Sequence, residues 1–202
     1  MQPIIRNQGL QDYQTVWQAM VQFTQARKPD TVDELWVVEH PPVYTFGVNA
    51  KTEHLLRETT IPVVKSDRGG QITYHAPGQL IVYTLLDIER LQWDVRQLVT
   101  LLEQVMIESL SYYGLKATAK SEAPGVYIDT KKIGSVGLRI KKGKSYHGLS
   151  LNNTLDLAPF DAINTCGFKN LEVTKLQNLG VTIHTNELAI PVLHALLTAI
   201  TS

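Results

Sequence analysis

Residue types that can do chemistry are densest at positions 68–79, which read Arg-Gly-Gly-Gln-Ile-Thr-Tyr-His-Ala-Pro-Gly-Gln. Apolar runs flank this segment at 61–65 and 80–86, and the second run is typical of a strand buried on both faces. We therefore predict a loop held between strands. Its paired glycines let the backbone approach a ligand closely and offer N–H groups to a carbonyl or an anion, and Arg68 adds a rigid fork of donors.

The alternative for this segment is a tight turn with a solvated arginine and a buried histidine, because a glycine-rich stretch alone is weak evidence for a site. Cys166, the only cysteine, has two similar interpretations. It is either a small buried apolar residue or a nucleophile, and the polar residues before it and Gly167 after it permit an exposed turn. A single cysteine excludes an internal disulfide and favours a reducing cytoplasm.

The segment at 68–79 resembles the signature of the lipoyl(octanoyl) transferases, Arg-Gly-Gly-x-x-Thr-aromatic-His-x-Pro-Gly-Gln. Every fixed position of the signature is matched, and Ala76 stands where glycine is common. Residues 39–47 also match a pattern common in these enzymes, Glu-His-x-x-Val-Tyr-Thr-x-Gly. The resemblance covers nearly the whole chain and is clearest from 37 to 168.

This resemblance implies two catalytic groups. The segment Phe160-x-x-Ile163-x-x-Cys166-Gly167 is similar to the one that carries the family's nucleophilic cysteine, with Thr165 where many members have proline. The segment 132–137 is similar to the one that carries its catalytic lysine, which makes Lys132 the second group. If Lys132 opens a strand, the adjacent Lys131 points to the opposite face and cannot reach the thiol.

The chemistry implied for this pair uses one amine twice. A thiol with the ordinary pKa of about 8.5 is only a few per cent thiolate at neutral pH, and a nearby ammonium stabilises the thiolate. The thiolate attacks an acyl thioester and forms acyl-Cys166. Because acylation removes the negative charge beside Lys132, the lysine in its neutral form can then take the proton of an incoming amine.

The resemblance also implies an acyl pocket with a wall from the signature and facing backbone strips. The predicted pocket residues are Arg68, Gly69, Gly70, Gln71, Ile72, Thr73, Tyr74, His75, Ser135, Val136, Gly137, Gly148, Leu149 and Ser150. N–H groups of the strips, or of Cys166 and Gly167, are the candidates for an oxyanion hole, and the sequence does not choose between them. For His75, both a direct catalytic role and a hydrogen bond across the site remain open.

As a member of this family, the protein is expected to move an octanoyl group from octanoyl-acyl carrier protein to a lysine of lipoyl domains. The acceptors would be the lipoyl domains of 2-oxoacid dehydrogenases and glycine-cleavage H-protein, and the resemblance implies no cofactor and no metal. One alternative is an ATP-dependent lipoate or biotin protein ligase on the same fold, which needs no cysteine; lipoate ligases tend to carry aspartate where Ala76 stands. The others are a non-catalytic carrier-protein binding module and a thioesterase.

Composition sets broad limits. A chain of 202 residues with 44% hydrophobic and 19% charged residues suits one soluble domain, which we predict to span residues 1–202 as a single octanoyltransferase catalytic domain. The 19 basic and 19 acidic residues give zero formal net charge, which argues against nucleic-acid binding. No run resembles a signal peptide or a membrane span. We expect a cytoplasmic monomer.

Periodicity predicts the elements that position these residues. Apolar residues at helical spacing predict a helix within 12–28, and short apolar runs predict strands at 34–39 and 43–47. Asp94 and Gln97 resemble a capping box for a second helix that ends near Gly114. Residues 130–132 are predicted as a polar turn, and the lysine-rich hairpin tip at 141–144 is either solvated or a contact for an acidic carrier protein.

Near the end of the chain, residues 187–190 are predicted to be extended and Pro191 to begin a closing helix. Residues 115–119 and 125–129 are predicted strands. The predicted fold class is α/β (α+β), a single domain with a mixed central sheet and flanking helices. The family resemblance makes this fold similar to the catalytic domains of biotin and lipoate protein ligases.

Overall fold

The computed structural model describes residues 2–120, 123–169 and 171–201. These residues form helices and strands with the following bounds: α1 (Tyr13–Ala26), α2 (Val95–Ser111), α3 (Thr185–Thr201), β1 (Ile4–Leu10), β2 (Glu34–Glu39), β3 (Val43–Phe46), β4 (Val63–Lys65), β5 (Ile72–His75), β6 (Gln79–Leu85), β7 (Thr118–Ala119), β8 (Val126–Ile128), β9 (Lys131–Lys141) and β10 (Lys144–Asn152). Short 3₁₀ turns include Thr165–Gly167, which carries the cysteine.

The strands form a larger and a smaller sheet. The larger sheet has the order β1-β2-β6-β10-β9-β8-β7, in which β1 and β2 are parallel and the other neighbours are antiparallel. The smaller sheet has the order β4-β3-β5, with β4 parallel and β5 antiparallel to β3. This mixed topology with flanking helices confirms the predicted fold class.

The alternation of side chains along β6 explains the layers. Leu80 and Val82 belong to the core that α2 and α3 cover, whereas Ile81 and Tyr83 pack on the opposite face with α1. All residues of β6 are buried, as predicted from the continuous apolar run. The face of the sheet that carries Ile81 and Tyr83 is also the face on which the pocket described below lies.

Helix starts follow the local sequence. The side chain of Asp94 accepts a hydrogen bond from the N–H of Gln97, and the side chain of Gln97 accepts one from the N–H of Asp94, so the predicted capping box is confirmed. Helix α1 has an N-cap without the reciprocal bond: the side chain of Asp12 accepts a hydrogen bond from the N–H of Thr15.

The prediction for the last helix was wrong at its start. Helix α3 begins at Thr185, so residues 187–190 are helical rather than extended and Pro191 lies inside the helix. Burial of one apolar face stabilises this early start despite the N–H that proline lacks. The buried residues of that face are Leu188, Ala189, Val192, Leu196 and Ile200. Within the described part of the chain, no helix is both long and apolar enough to cross a membrane.

The signature segment is not the uninterrupted loop that we predicted. Its centre, Ile72–His75, is strand β5 and pairs with β3, because Ile-Thr-Tyr-His has the composition of a strand. Glycines with φ of +89° at Gly70 and +86° at Gly78 provide the turns on either side. The segment is therefore a short strand between two glycine turns.

Two smaller strand predictions also need correction. The predicted polar turn at 130–132 is too long, since Lys131 and Lys132 already pair with β8 as the first residues of β9. The strand predicted at 115–119 is reduced to Thr118–Ala119 at the edge of the sheet. The predicted hairpin between β9 and β10 is confirmed, with its turn at residues 142–143.

Candidate active site

Cys166 lies at the centre of a tight 3₁₀ turn, where its backbone has φ 56° and ψ 17°. This left-handed conformation is uncommon for a residue with a side chain, and such strain clusters at functional sites. Gly167 follows with φ of +80°. The turn is closed by hydrogen bonds from the N–H of Gly167 to Asn164 O at 2.8 Å and from the N–H of Phe168 to Thr165 O at 3.1 Å. The N–H of Gly167 is therefore engaged and is not free to bind an oxyanion.

A neighbouring segment supports the cysteine turn. The N–H of Asn164 donates to His54 O at 2.9 Å, and the N–H of Leu56 donates to Ala162 O at 2.8 Å. These bonds pair residues 54–56 with residues 162–164 immediately before the turn, and Thr165 is buried. Cys166 itself is partly exposed. The thiol is thus held on an anchored turn at the pocket rather than packed into the core.

Lys132 meets this thiol. Its Nζ lies 2.9 Å from Cys166 Sγ and donates a second hydrogen bond to Pro124 O at 2.6 Å. The same Nζ lies 5.4 Å from the centre of the Tyr127 ring. Lys132 is only 2% exposed, so its ammonium is held by these few contacts rather than by bulk water.

The backbone of Lys132 is fixed on both sides. It pairs with Tyr127 of β8, and its N–H and O form hydrogen bonds of 2.8 Å with Glu172 O and the N–H of Thr174. The adjacent Lys131 is exposed, and its Nζ lies 3.4 Å from a carboxylate oxygen of Glu172. As strand alternation predicts, only one of the two lysines reaches the sulfur.

A pocket that opens to solvent runs from Cys166 along the α1 face of the larger sheet. Most residues of the predicted pocket line it: Arg68, Gly70, Gln71, Ile72, Thr73, His75, Ser135, Val136, Gly137, Gly148, Leu149 and Ser150. The structure thus brings the signature, both backbone strips and the thiol to one cavity.

Small residues on β9 and β10 make room for this pocket. Ser135 pairs with Ser150, and Gly137 pairs with Gly148. A methyl group on Gly148 would lie 2.1 Å from Val82 O, so only glycine fits there. The pairing of β8 with β9 ends at Gly134, and the next residues of β9, Ser135, Val136 and Gly137, line the pocket.

Two predicted pocket residues do not line the cavity. The side chain of Tyr74 lies in a separate apolar cluster, with its ring centre 5.3 Å from that of Tyr44 and 5.4 Å from that of Phe160. Gly69 contributes its N–H to Leu138 O at 2.8 Å. This hydrogen bond attaches the signature, which forms one wall of the pocket, to strand β9, which forms part of the pocket floor.

Arg68 differs from the prediction that its fork of donors faces a ligand. Its hydrogen bonds go to uncharged oxygens of the protein: Thr45 O and Oγ1, Gly69 O at 2.9 Å and Gln71 O at 2.8 Å. The guanidinium is buried and folds back onto its own segment. It therefore shapes the wall and leaves a buried positive charge near Cys166, where an oxyanion would be stabilised.

His75 is engaged at both ring nitrogens. Nδ1 lies 2.7 Å from Gln79 Oε1 and therefore donates to it, and Nε2 lies 3.4 Å from Thr45 Oγ1. Burial, followed by the nearby His40, lowers the pKa of His75 to about 3. A neutral imidazole with both nitrogens occupied supports the pocket wall through hydrogen bonds, and this arrangement favours the second of its two predicted roles.

Sequence reasoning missed pocket residues that come from other elements. Tyr13, Ile81, Tyr83 and His147 line the cavity, and none lies within a motif used for the prediction. His147 has φ of +61° inside β10, and its ring lies against Tyr83 and Tyr146 rather than in the core on the other face. Nothing in a single sequence signals a left-handed histidine within a strand.

Asp67, directly before the signature, holds His147. Its carboxylate accepts hydrogen bonds from His147 Nε2 at 3.0 Å, Trp17 Nε1 at 2.8 Å and the hydroxyl of Tyr146. Burial alone would raise the pKa of Asp67, but the hydrogen bonds, chiefly those of His147 and Tyr146, hold it at about 2. Burial lowers the pKa of His147, so the imidazole is neutral at pH 7.

A chain of hydrogen bonds connects the signature with the lysine. His75 Nδ1 donates to Gln79 Oε1, and Gln79 Nε2 donates to Asn152 Oδ1 at 2.9 Å. Asn152 Nδ2 donates to Thr174 O at 2.9 Å, and the N–H of Thr174 donates to Lys132 O at 2.8 Å. The pocket wall and the strand that carries the amine are thus connected by one hydrogen-bond network.

The site is suited to acyl transfer through a nucleophilic sulfur. It combines a partly exposed thiol, an ammonium in contact with that thiol, and an adjacent pocket with an apolar component. Among the described residues, no cluster of three or more His, Cys, Asp or Glu side chains is arranged to hold a metal ion.

Known proteins resemble this chain in sequence and fold. The model of the lipoyl protein ligase A/B catalytic domain matches residues 12–197. An octanoyltransferase of Laribacter hongkongensis is 56% identical over 177 residues, which are 88% of this chain and 86% of that protein. An octanoyltransferase of Chromobacterium violaceum is 54% identical over 189 residues, which are 94% of this chain and 91% of that protein.

Solved structures show the likeness in fold at much lower identity. A lipoate-protein ligase A crystallised with ATP superimposes with a TM-score of 0.79 at 14% identity, over 96% of this chain and 84% of that one. The biotin protein ligase of Aquifex aeolicus superimposes with a TM-score of 0.60 at 15% identity, over 100% of this chain and 70% of that one.

The buried histidines predict how stability depends on pH. Burial lowers the pKa of His40 from 6.5 to about 4 and is the largest cause of the lowered pKa values of His75 and His147. The unfolded chain therefore binds more protons between about pH 4 and 6.5, and stability falls as the pH falls through that window. For His40 alone the loss is on the order of 3 kcal/mol. Urea unfolding at several pH values measures this dependence.

The matched comparison uses one buried and one exposed histidine. His40→Gln should reduce the dependence of the unfolding free energy on pH between 4 and 6.5 by the contribution of one histidine, whereas His194→Gln, on the exposed side of α3, should leave it unchanged. Equal slopes for His40→Gln and the parent protein would contradict this account.

Gly125 leaves space for the Lys132 side chain to pass close to the main chain on its way to Cys166. A methyl group there would lie 2.8 Å from Lys132 Nζ and 2.5 Å from Gly134 O, at a φ of +128°. We expect Gly125→Ala to displace the ammonium and to slow alkylation of Cys166 by iodoacetamide at pH 7 by about tenfold, because the thiolate loses its partner. Gly180→Ala, which also has positive φ but meets nothing, is the control for backbone strain. Similar alkylation rates in both variants would argue against the role of Gly125.

Proposed function

The chain belongs to the lipoyl protein ligase A/B catalytic-domain family, and we propose that it transfers octanoyl groups through a covalent thioester on Cys166. The activity itself rests on relatives of more than 50% identity over most of the chain: the protein is an acyltransferase that transfers an octanoyl group to lipoyl domains. The names of these relatives do not favour the ATP-dependent ligase alternative. The observation that carries the covalent route is the 2.9 Å contact between Lys132 Nζ and Cys166 Sγ.

In the first half-reaction, the Cys166 thiolate attacks the carbonyl carbon of the octanoyl thioester on acyl carrier protein. The bond between that carbon and the carrier's sulfur breaks, and the leaving sulfur takes a proton from the Lys132 ammonium. The products are octanoyl-Cys166, neutral Lys132 and the free carrier thiol. Acylation removes the charge that had paired with the ammonium, and in a pocket with little water a neutral amine is then favoured.

In the second half-reaction, a neutral lysine amine of the acceptor attacks the acyl carbon on Cys166. The new C–N bond forms, the C–S bond breaks, and Lys132 takes the proton from the attacking nitrogen. The amide is released, and the thiolate and ammonium are restored. Each proton that Lys132 gives in the first step returns in the second, so the cycle needs neither ATP nor a cofactor.

The pocket contacts support an acyl chain lying along the floor of β9 and β10. Arg68, Gly69, Gly70, Gln71, Ile72, Thr73, Tyr74 and His75 would build one wall, directly or, for Gly69 and Tyr74, by supporting it from behind. Burial of the octanoyl chain is worth at most roughly 5 kcal/mol at about 0.8 kcal/mol per CH₂ group. Pocket depth can therefore set chain-length preference.

The remaining parts of the proposal concern setting and partners. We propose that residues 1–202 act as a single catalytic domain and as a monomer. The acceptors would include lipoyl domains of 2-oxoacid dehydrogenases and glycine-cleavage H-protein. A cytoplasmic location suits the chemistry, because Cys166 must remain a reduced thiol.

An intact-mass measurement tests the covalent route. Incubation with octanoyl-acyl carrier protein should add one octanoyl group to the enzyme at Cys166, and adding a lipoyl domain without ATP should move that group to the acceptor. Cys166→Ser should gain no octanoyl group and should lose activity on the order of a thousandfold, because a serine hydroxyl lacks the acidity of a thiol. Octanoylation of the acceptor with no modified enzyme at any time would reject the two-step route, and a requirement for ATP would favour a ligase.

A further inference from the structure

The side chain of Gln71 carries a hydrogen-bond acceptor that the protein leaves unused. Its Oε1 is buried, and among the described residues nothing donates a hydrogen bond to it. The main chain of the same residue is well held, since Gln71 O accepts from Arg68 Nη2 at 2.8 Å and from the N–H of Gly47 at 3.2 Å. A buried acceptor without a donor destabilises the protein because it has lost its hydrogen bonds to water. A donor from a substrate would remove that destabilisation.

The position of this acceptor relates it to the reacting sulfur. Gln71 and Cys166 line the same pocket. A methyl group on Gly167, the residue after the nucleophile, would lie 3.2 Å from Gln71 Cγ and 3.4 Å from Gln71 Cδ. The amide group is therefore packed against the cysteine turn, whereas Lys132 reaches the sulfur from β9.

The chemistry of the substrates limits which of their groups can donate a hydrogen bond to Gln71 Oε1. An octanoyl chain and a thioester contain no N–H or O–H group, so the acyl part of the donor substrate cannot satisfy Gln71 Oε1. The acceptor's amine can, and it must approach the carbon bonded to Cys166 Sγ. In the proposed second half-reaction one of its protons passes to Lys132, which leaves its other N–H group without a protein partner.

We propose that Gln71 Oε1 accepts a hydrogen bond from the attacking lysine amine of the acceptor and aims its lone pair at the acyl carbon on Cys166. This inference rests on the proposed function and refines it, because it assigns Gln71 to the second half-reaction and to the acceptor amine. Lys132 and Gln71 then hold two N–H groups of one nitrogen, which fixes the direction of attack. The hydrogen bond to Gln71 changes neither the atoms nor the charges that are exchanged in the second half-reaction.

The test measures the two half-reactions separately in two variants. Acyl-enzyme formation from octanoyl-acyl carrier protein is followed by quenched intact-mass measurements, and isolated acyl-enzyme is then mixed with a lipoyl domain to measure discharge. Gln71→Met keeps the length of the side chain and removes the acceptor. Gln71→Glu keeps an acceptor of the same length and adds negative charge. Gln25→Met, on the exposed side of α1, is the matched control.

We expect the two substitutions of Gln71 to slow different half-reactions. Gln71→Met should slow discharge about tenfold more than it slows acylation, since one hydrogen bond to the attacking amine is lost. Gln71→Glu should slow acylation, because its charge opposes the thiolate, and should discharge faster than Gln71→Met. Gln25→Met should leave both rates unchanged.

Other outcomes separate the failure of this inference from that of the function. If Gln71→Met slows both steps equally, Gln71 supports the pocket or binds the amide groups of the carrier's prosthetic arm, and the inference is overturned. Unaltered discharge in Gln71→Met overturns it as well. If the parent enzyme forms no acyl-enzyme at all, the covalent function is rejected, and the assignment of Gln71 falls with it.

Discussion

The proposed chemistry depends on the contact between the Lys132 ammonium and the Cys166 sulfur, and several elements of the structure fix the positions of these two groups. These residues are 34 positions apart in the chain and meet at 2.9 Å. A buried lysine is costly unless it is paired, and a thiol is a weak nucleophile unless it is ionised, so each group offsets the weakness of the other. Strand β9, the loop at 172–174 and the left-handed turn at Cys166 all limit where these two atoms can lie.

The pocket beside Cys166 depends on the same scaffold. Arg68 and His75 belong to the signature, yet their polar atoms bind protein groups and hold the wall in place. Gln79 and Asn152 connect the pocket wall with residues 172–174, which form hydrogen bonds with the main chain of Lys132. The buried histidines are neutral, so Arg68 and Lys132 supply the positive charge near the reacting centre. Such fixed charges act without reorganisation when an oxyanion forms.

Much of the fold could be predicted because local signals agree with it. The Asp94 capping box, the helical spacing of α1 and the apolar run of β6 each match an observed element. Pro191 misled the prediction, since tertiary burial of the face around Leu188 and Val192 outweighs the proline's missing N–H. The signature was predicted as a loop because its glycines dominate it, although the Ile-Thr-Tyr-His segment between them forms a strand.

The limits of the site prediction follow from the same strand. Had residues 72–75 been assigned to a strand, alternation would have placed Tyr74 on the face opposite Thr73 and His75. Tyr13, Tyr83 and His147 carried no such signal, because three separate elements bring them to the cavity and one has a backbone conformation that its residue type does not indicate. Motifs identified the proposed reacting groups, but the shape of the pocket depends on the order of strands in the sheet.

The most direct measurement of the central claim is the ultraviolet absorbance of the thiolate, which reports on Cys166 alone because the sequence has one cysteine. The difference spectrum between the parent protein and Cys166→Ser at neutral pH should show a thiolate band, and the same difference measured in a Lys132→Met background should lack it. Bands of equal intensity in both backgrounds would show that Lys132 does not stabilise the thiolate, which would contradict the proposed role of the lysine.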